Sequence, residues 1–380
     1  MKNVKKDRFD RDFLKTLKYQ SPFFLFSKEK IRNNFLNFKK NFPGSSIYYA
    51  MKANSEPELL KILSDAGAGF EVASLYELDI LKKIEVPAEK IIYGTAVKPV
   101  SHIKEFYDYG VDKFAFDSIS ELEKIASFAP HAKVYCRVIV NDTGSIYRFS
   151  EKFGTDKENV VAFLECAKSL GLHPYGISFH VGSQANNKNA WSNALSVLQD
   201  ILINLKNVGI KLDMINIGGG YPCTKYVSFE ETFTFEEITK HINEKHKKLP
   251  YETKLILEPG RIIVADTGIL VASVIGKVER RENTWLFLDA GVYNALFESL
   301  AHQGSIKYHV SSIKPVGNAG EMIFALAGPT GDSWDVITRE AFLPKNLDIG
   351  DKLVFHDVGA YNTVCMNRFN GFPATRCYFI

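Results

Sequence analysis

The chain has 380 residues, 46% of them hydrophobic and 24% charged, which excludes wholesale disorder and suits two domains of ordinary size. Forty-seven Lys and Arg against 44 Asp and Glu leave a net charge of +3, too little to mark an electrostatic nucleic-acid binder. No apolar run reaches the roughly 18 residues of a membrane span; the best candidate, after Arg261, is broken by Asp266.

The charged opening MKNVKKDRFDRDF has no apolar segment behind it, so no secretory signal is expected. Residues 22–27 (PFFLFS) then read as a strand and 28–40 as a helix. From there short β-branched or aromatic runs recur at 47–53, 70–74, 91–95, 114–118, 133–140, 176–183, 214–220 and 254–261. Helix-like spacing fills the intervals, at 57–66, 75–83, 121–126, 157–170 and 190–208. Eight strand–helix units over about 215 residues match a closed (β/α)8 barrel in count and length. An open doubly wound sheet is the alternative, but the GxGxxG expected after its first strand is missing.

After residue 266 the texture changes. Apolar runs at 269–278, 285–289, 322–326, 352–356 and 377–380 lack long helical stretches between them and predict an antiparallel β domain. The expected division is a barrel over 23–265 and a β domain over 1–22 and 266–380, although the strand at 22–27 could also belong with the latter. Five cysteines, Cys136, Cys166, Cys223, Cys365 and Cys377, form no CxxC pair and fit free thiols in a reducing cytoplasm.

Barrel enzymes build their sites at the C-terminal ends of the strands, and the unusual residues fall there. Lys52 closes the first strand, Glu71 lies in the second and Asp117 ends the fourth. Arg137 lies in the fifth, His180 and Ser183 end the sixth, Gly218, Gly219 and Gly220 end the seventh, and Glu258 and Arg261 end the eighth. A lysine inside an apolar strand is costly unless paired or used; alone, Lys52 reads equally as a snorkelling residue. Three glycines let backbone amides approach an anion, though such runs also occur in plain turns. A lysine on strand one with a phosphate cradle after strands seven and eight suggests pyridoxal phosphate.

The ordered motifs YAMKAN, FEVAS, FDS, RFSEKFG, ISFHVGSQ, INIGGGYP, LEPGR, AGPTGDSWD, GAYNT and FNGF span nearly the whole chain. In them the sequence resembles the fold-type III pyridoxal-phosphate decarboxylases, the ornithine decarboxylase group with its lysine, arginine and diaminopimelate relatives. The resemblance implies that Lys52 is the Schiff-base lysine and that Glu258 keeps the pyridine nitrogen protonated. The related alanine racemase puts an arginine at that nitrogen, so Glu258 favours decarboxylation over racemisation. His180 would stack on the ring, the plain alternative being a core histidine. Ser183, the Gly218–Gly220 amides, Gly260, Arg261 and the Tyr361 hydroxyl would bind the phosphate. Glu71 and Glu77 match carboxylates near the lysine and histidine, and Arg137 an arginine beside the ring hydroxyl; these three could simply be paired barrel charges. The family also implies a head-to-tail homodimer with shared active sites. There Asp332 reaches the substrate's distal amine, Lys152 and Asp335 form a salt bridge between subunits, and Phe369 lies near the substrate entrance.

Two positions depart from the family. Gly331 stands where a cysteine precedes the aspartate, a thiol that normally helps return a proton to the substrate carbon. Reprotonation could then go to the wrong carbon, or a water or Tyr361 could act as the acid. In diamine-forming members an acidic residue falls within the segment 293–303; ungapped matching puts His302 near it, with Glu298 one turn earlier, and a gap would return Glu298 to the role. A histidine suits an amide or carboxylate better than a free ammonium. The expected substrate is therefore ornithine-like, with its side-chain nitrogen capped by a carboxylic acid, as in citryl-ornithine of siderophore synthesis. Decarboxylation of free ornithine, lysine or arginine for polyamine synthesis is one alternative. A non-catalytic binding protein of the antizyme-inhibitor type is another, disfavoured by the presence of Lys52, the glycines, Glu258 and Tyr361.

Overall fold

A computed structural model describes residues 9–380 except 186, 224–232, 282 and 301–305. The described chain divides into two compact units. One holds residues 32–222 and 233–263, the other residues 9–31, Cys223 and 264–380.

Strands are numbered in chain order: β1 (Phe23–Phe26), β2 (Ser46–Ala50), β3 (Gly69–Val72), β4 (Ile91–Tyr93), β5 (Lys113–Phe116), β6 (Lys133–Arg137), β7 (Ser145–Tyr147), β8 (His173–Ser178), β9 (Ser183–Ala185), β10 (Met214–Asn216) and β11 (Lys254–Leu257). In the first unit β2, β3, β4, β5, β6, β8, β10 and β11 pair in that order, all parallel, and β11 returns to β2 to close a barrel. Helices alternate with them because the sequence supplies both faces and ends. The helix Leu75–Lys83 starts where the Ser74 hydroxyl accepts the Glu77 amide, and Val100–Tyr109 stops at Gly110, whose φ is 102°. Inside the barrel, Tyr48, Ile92, Ala115, Tyr135, Met214 and Ile256 form a buried cluster, so the interior is packed rather than a pore.

The strands are shorter than the apolar runs suggest. The run 47–53 ends as a strand at Ala50, and Lys52 lies in the single 3-10 turn Met51–Ala53; the run 133–140 ends at Arg137. β7 and β9 form a separate antiparallel ribbon that the periodicity does not reveal.

The second unit adds β12 (Gly268–Arg280), β13 (Asn283–Leu288), β14 (Val310–Ser312), β15 (Glu321–Ala327), β16 (Val336–Pro344), β17 (Lys352–Phe355) and β18 (Arg376–Phe379). Its sheet runs β14-β17-β12-β13-β15-β16, with β1 pairing both β12 and β18. Most pairings are antiparallel as expected, but β13 with β15 and β1 with β18 are parallel. β1 therefore leaves the range 23–265 read as barrel and joins the β unit, where Phe23 and Leu25 pack with Ile269, Val271 and Val354.

Candidate active site

The barrel places its chemical side chains at one end, because each follows or closes the C-terminal end of a parallel strand. Lys52 follows β2, Glu71 lies on β3, Arg137 closes β6, His180 follows β8, Gly218 follows β10 and Glu258 follows β11. Lys52 Nζ lies 2.9 Å from Glu71 Oε2. Glu71 is buried, and it fits because position 94 is glycine: a Cβ there would collide with the Glu71 carboxylate. Glu77 accepts the Ala73 amide at 2.6 Å, and burial raises its carboxyl to about 7.

Glu258 is the electrostatic centre of this end. Its Oε1 accepts from Asn216 Nδ2 at 2.6 Å, and Asn216 Oδ1 in turn accepts the Gly218 amide at 2.9 Å. Burial first, and then the negative charge of Glu71, push the Glu258 carboxyl up to about 7, while Lys52, Asn216 and Arg137 pull the other way. A cation placed beside Glu258 would draw that value back down and favour the ionised carboxylate. Sequence reasoning passed over Asn216 inside INIGGG, because a buried amide that orients a carboxylate looks like any polar residue of the motif.

His180 is held neutral. Its Nδ1 accepts the Gly182 amide at 3.0 Å, and burial drives the imidazole well below its ordinary value, helped by the charges of Arg137 and Lys52. Phe149 meets the ring edge-on at 5.0 Å. Burial also lowers the Arg137 guanidinium from its ordinary value, opposed by Glu258, Glu71 and Asp117. The β7–β9 ribbon carries Tyr147 and buried Ser183, and Tyr147 lies 5.6 Å beneath the buried Arg261 guanidinium. Asp142, which no motif or spacing singles out, folds the following loop by accepting the Phe149 and Ser150 amides at 2.7 and 3.0 Å.

The run after β10 is a cradle that only glycine can form. A Cβ on Gly218 or Gly219 would lie 2.5 Å from a backbone oxygen, that of Phe179 or Glu258, and Gly218 and Gly220 have φ of 62° and 94°. Bare backbone, a buried arginine at 261, a neutral histidine, the Glu258 carboxyl and a lysine fit pyridoxal phosphate, which carries a phosphate, a flat ring, a basic nitrogen and an aldehyde. Gly260 is buried in the turn between Glu258 and Arg261.

The remaining candidates lie in the β unit. Asp332, Gly331 and Phe369 are drawn together there by Tyr293 and Asn370. Tyr293 donates its hydroxyl to Asp332 Oδ2 and stacks on Phe369 at 4.7 Å, while the Gly331 amide donates to Asn370 Oδ1 at 3.0 Å. A Cβ on Gly331 would meet nothing closer than Asn370 Oδ1 at 3.7 Å, so the site has room for a side chain. Asp335 is 2% exposed and accepts the Val292 amide, the Thr330 amide and the Thr330 hydroxyl at 2.9, 3.0 and 2.7 Å. A lysine from another subunit would have to share that engaged carboxylate. Tyr361 sits at φ 57°, a conformation rare outside glycine and asparagine, and Glu298 is buried. His302 lies outside the described residues.

Comparison with known proteins agrees with this chemistry. Residues 28–265 match the family described as pyridoxal-dependent decarboxylase, pyridoxal binding domain. The chain is a pyridoxal-phosphate-dependent decarboxylase of the ornithine/lysine/arginine type, fold-type III. It is 33% identical to a lysine/ornithine decarboxylase of Selenomonas ruminantium over 97% of its own length and 92% of that protein. It is 32% identical to antizyme inhibitor 2 of Xenopus laevis over 95% of its length and 81% of that protein. The solved structure of SrLDC in complex with PLP and cadaverine superposes with a TM-score of 0.90 at 32% identity, covering 98% of this chain and 94% of that one. Among the described residues no helix is long and apolar enough to cross a membrane.

Proposed function

We propose that the chain removes CO2 from the α-carbon of an ornithine-like amino acid whose side-chain nitrogen is capped by a carboxylic acid, as in citryl-ornithine, and releases the amine. The reading of the reaction is carried by Glu258, held by Asn216 at the end of β11, the strand that pairs with the Lys52-bearing β2. Pyridoxal phosphate, when bound, supplies an aldehyde for an amine and a cationic ring that withdraws the electron pair left by CO2. Lys52 would hold the cofactor, with Glu71 fixing its Nζ. Glu258 would keep a proton on the ring nitrogen, because a carboxylate beside it favours the charged ring. His180 would cover one ring face and Arg137 would approach the ring hydroxyl. The Gly218–Gly220 amides, Ser183, Gly260, Arg261 and Tyr361 would bind the phosphate.

The substrate assignment is supported by Gly331 and Asp332. Gly331 leaves space beside Asp332 where a thiol would narrow the approach, and Asp332 already holds a hydrogen bond from Tyr293. We place the working enzyme in the cytoplasm as a head-to-tail homodimer, Asp332 and Phe369 of one subunit serving the barrel of the other. A second reading, decarboxylation of free ornithine or lysine, is favoured by the likeness to the Selenomonas lysine/ornithine decarboxylase. CO2 release from ornithine, lysine, arginine and Nδ-acylated ornithines, with products identified by mass spectrometry, separates the two. The capped substrate should give the highest kcat/KM; strong preference for a free diamino acid ends that assignment and leaves the reaction class standing.

A further inference from the structure

Lys98 is a lysine that the barrel closes over. It lies between β4 and the helix Val100–Tyr109, and its side chain is fully buried. Its Nζ donates to the Thr95 carbonyl at 2.9 Å, the Ala96 carbonyl at 3.3 Å and the Ala115 carbonyl on β5. The same Nζ lies 3.0 Å from Glu121 Oε1. Glu121, also buried, accepts the Lys98 amide at 3.2 Å and lies 2.6 Å from Lys124 Nζ. Burial lowers the Lys98 amine to about 8, opposed by Glu121, so at neutral pH it keeps the charge that grips these oxygens. A buried ion pair is a costly way to join two strands that apolar packing would join as well.

What the ammonium holds is a wall of the active site. Thr95 and Ala96 continue directly from Gly94, whose amide donates to the Val72 carbonyl at 3.1 Å. The backbone at 94 lies against Glu71, where a Cβ would collide with Oε1, while Oε2 is the oxygen that meets Lys52. Glu71 thus has the turn on one oxygen and the lysine on the other. A turn free to shift would give the carboxylate room to rotate away from Lys52.

We propose that Lys98 is a positioning residue: by gripping the turn after β4 it fixes the wall behind Glu71 and so keeps Glu71 paired with Lys52. Its bearing on catalysis rests on the reading that Lys52 holds the cofactor; its effect on the pair does not.

The test reads the Lys52 amine in the full-length, cofactor-free chain. A carboxylate in contact favours the ammonium form of a lysine, and only the neutral amine reacts with acetic anhydride. Labelling at pH 8, followed by peptide mass spectrometry, compares Lys52 with the exposed Lys61. Lys98→Met keeps the stem and removes the charge. Lys52 labelling relative to Lys61 should then rise about threefold, equivalent to about half a pH unit. Loss of a positive charge alone acts the other way, favouring the ammonium, so a rise reports the pairing. Lys124→Met removes the other cation on Glu121 and leaves the grip on the turn, so its ratio should stay within about 1.5-fold. Gly94→Ala drives a Cβ into Glu71 with Lys98 intact and should give the same rise, a second route if Lys98→Met does not fold. An unchanged ratio in folded Lys98→Met or in Gly94→Ala, or an equal rise in Lys98→Met and Lys124→Met, would overturn the inference. Borohydride trapping of the cofactor on another lysine would overturn only its bearing on catalysis.

Discussion

Replacing Glu258 by glutamine should stabilise the cofactor-free protein while weakening its use of the cofactor. The Glu258 carboxyl is raised from its ordinary value of 4.5 to about 7. Between those values the folded chain keeps a proton that the unfolded chain has released. Stability contributed by this site therefore falls as pH rises through the window from 4.5 to 7, and the loss is complete above it. At about 1.4 kcal/mol per pH unit, the site costs the cofactor-free protein about 1 kcal/mol at pH 5 and about 3 kcal/mol at pH 8. Glutamine keeps an oxygen to accept from Asn216 and has nothing to ionise. Urea unfolding of the two cofactor-free proteins at both pH values gives the difference directly. Glu77, also raised to about 7, is present in both proteins and cancels. The variant should be more stable by roughly 2 kcal/mol more at pH 8 than at pH 5. A pH-independent difference, or a variant less stable at pH 8, would refute the claim that burial and Glu71 strain this carboxylate. Titrated with pyridoxal phosphate, the order should reverse, since only glutamate can stabilise a cationic ring nitrogen.

Three further outcomes follow from the packing. Gly219→Ala places a Cβ 2.5 Å from the Glu258 carbonyl oxygen, so the cradle must open; pyridoxal phosphate affinity should fall at least about tenfold by absorbance titration. Asp335→Ala strands the buried Val292 amide and two half-buried donors of Thr330, and should cost roughly 2 kcal/mol in urea unfolding. Gly331→Cys meets only Asn370 at van der Waals range and should leave the thermal midpoint within about 1 °C.

The barrel is legible in the sequence because parallel strands buried on both faces read as continuous apolar runs, and eight of them recur. Their ends are less legible: the chain turns at Ala50 and Arg137 while apolar residues continue, since the loops that build the site are themselves packed. β16 is missed because its first half carries Thr338, Arg339 and Glu340 on an exposed edge, and β14 because it is only three residues long. The helix Phe235–His246 is missed for a similar reason: Glu, Lys and His dominate it, and its capping box, Thr234 with Glu237, is its clearest signal. The parallel pairing of β13 with β15 depends on how the chain crosses between them, which no local pattern records. In the site, residues with unusual chemistry at strand ends stand out, whereas Asn216, Asp142 and Tyr293 act through partners distant in sequence and leave no spacing to read.

The central claim is that Lys52, paired with Glu71 at the end of β2, carries the cofactor. Borohydride reduction of the holoenzyme, followed by proteolysis and peptide mass spectrometry, should find a pyridoxyl phosphate adduct on the peptide containing Lys52 and bleach the visible absorbance. An adduct on another lysine, or an unmodified Lys52 peptide from bleached enzyme, would contradict it.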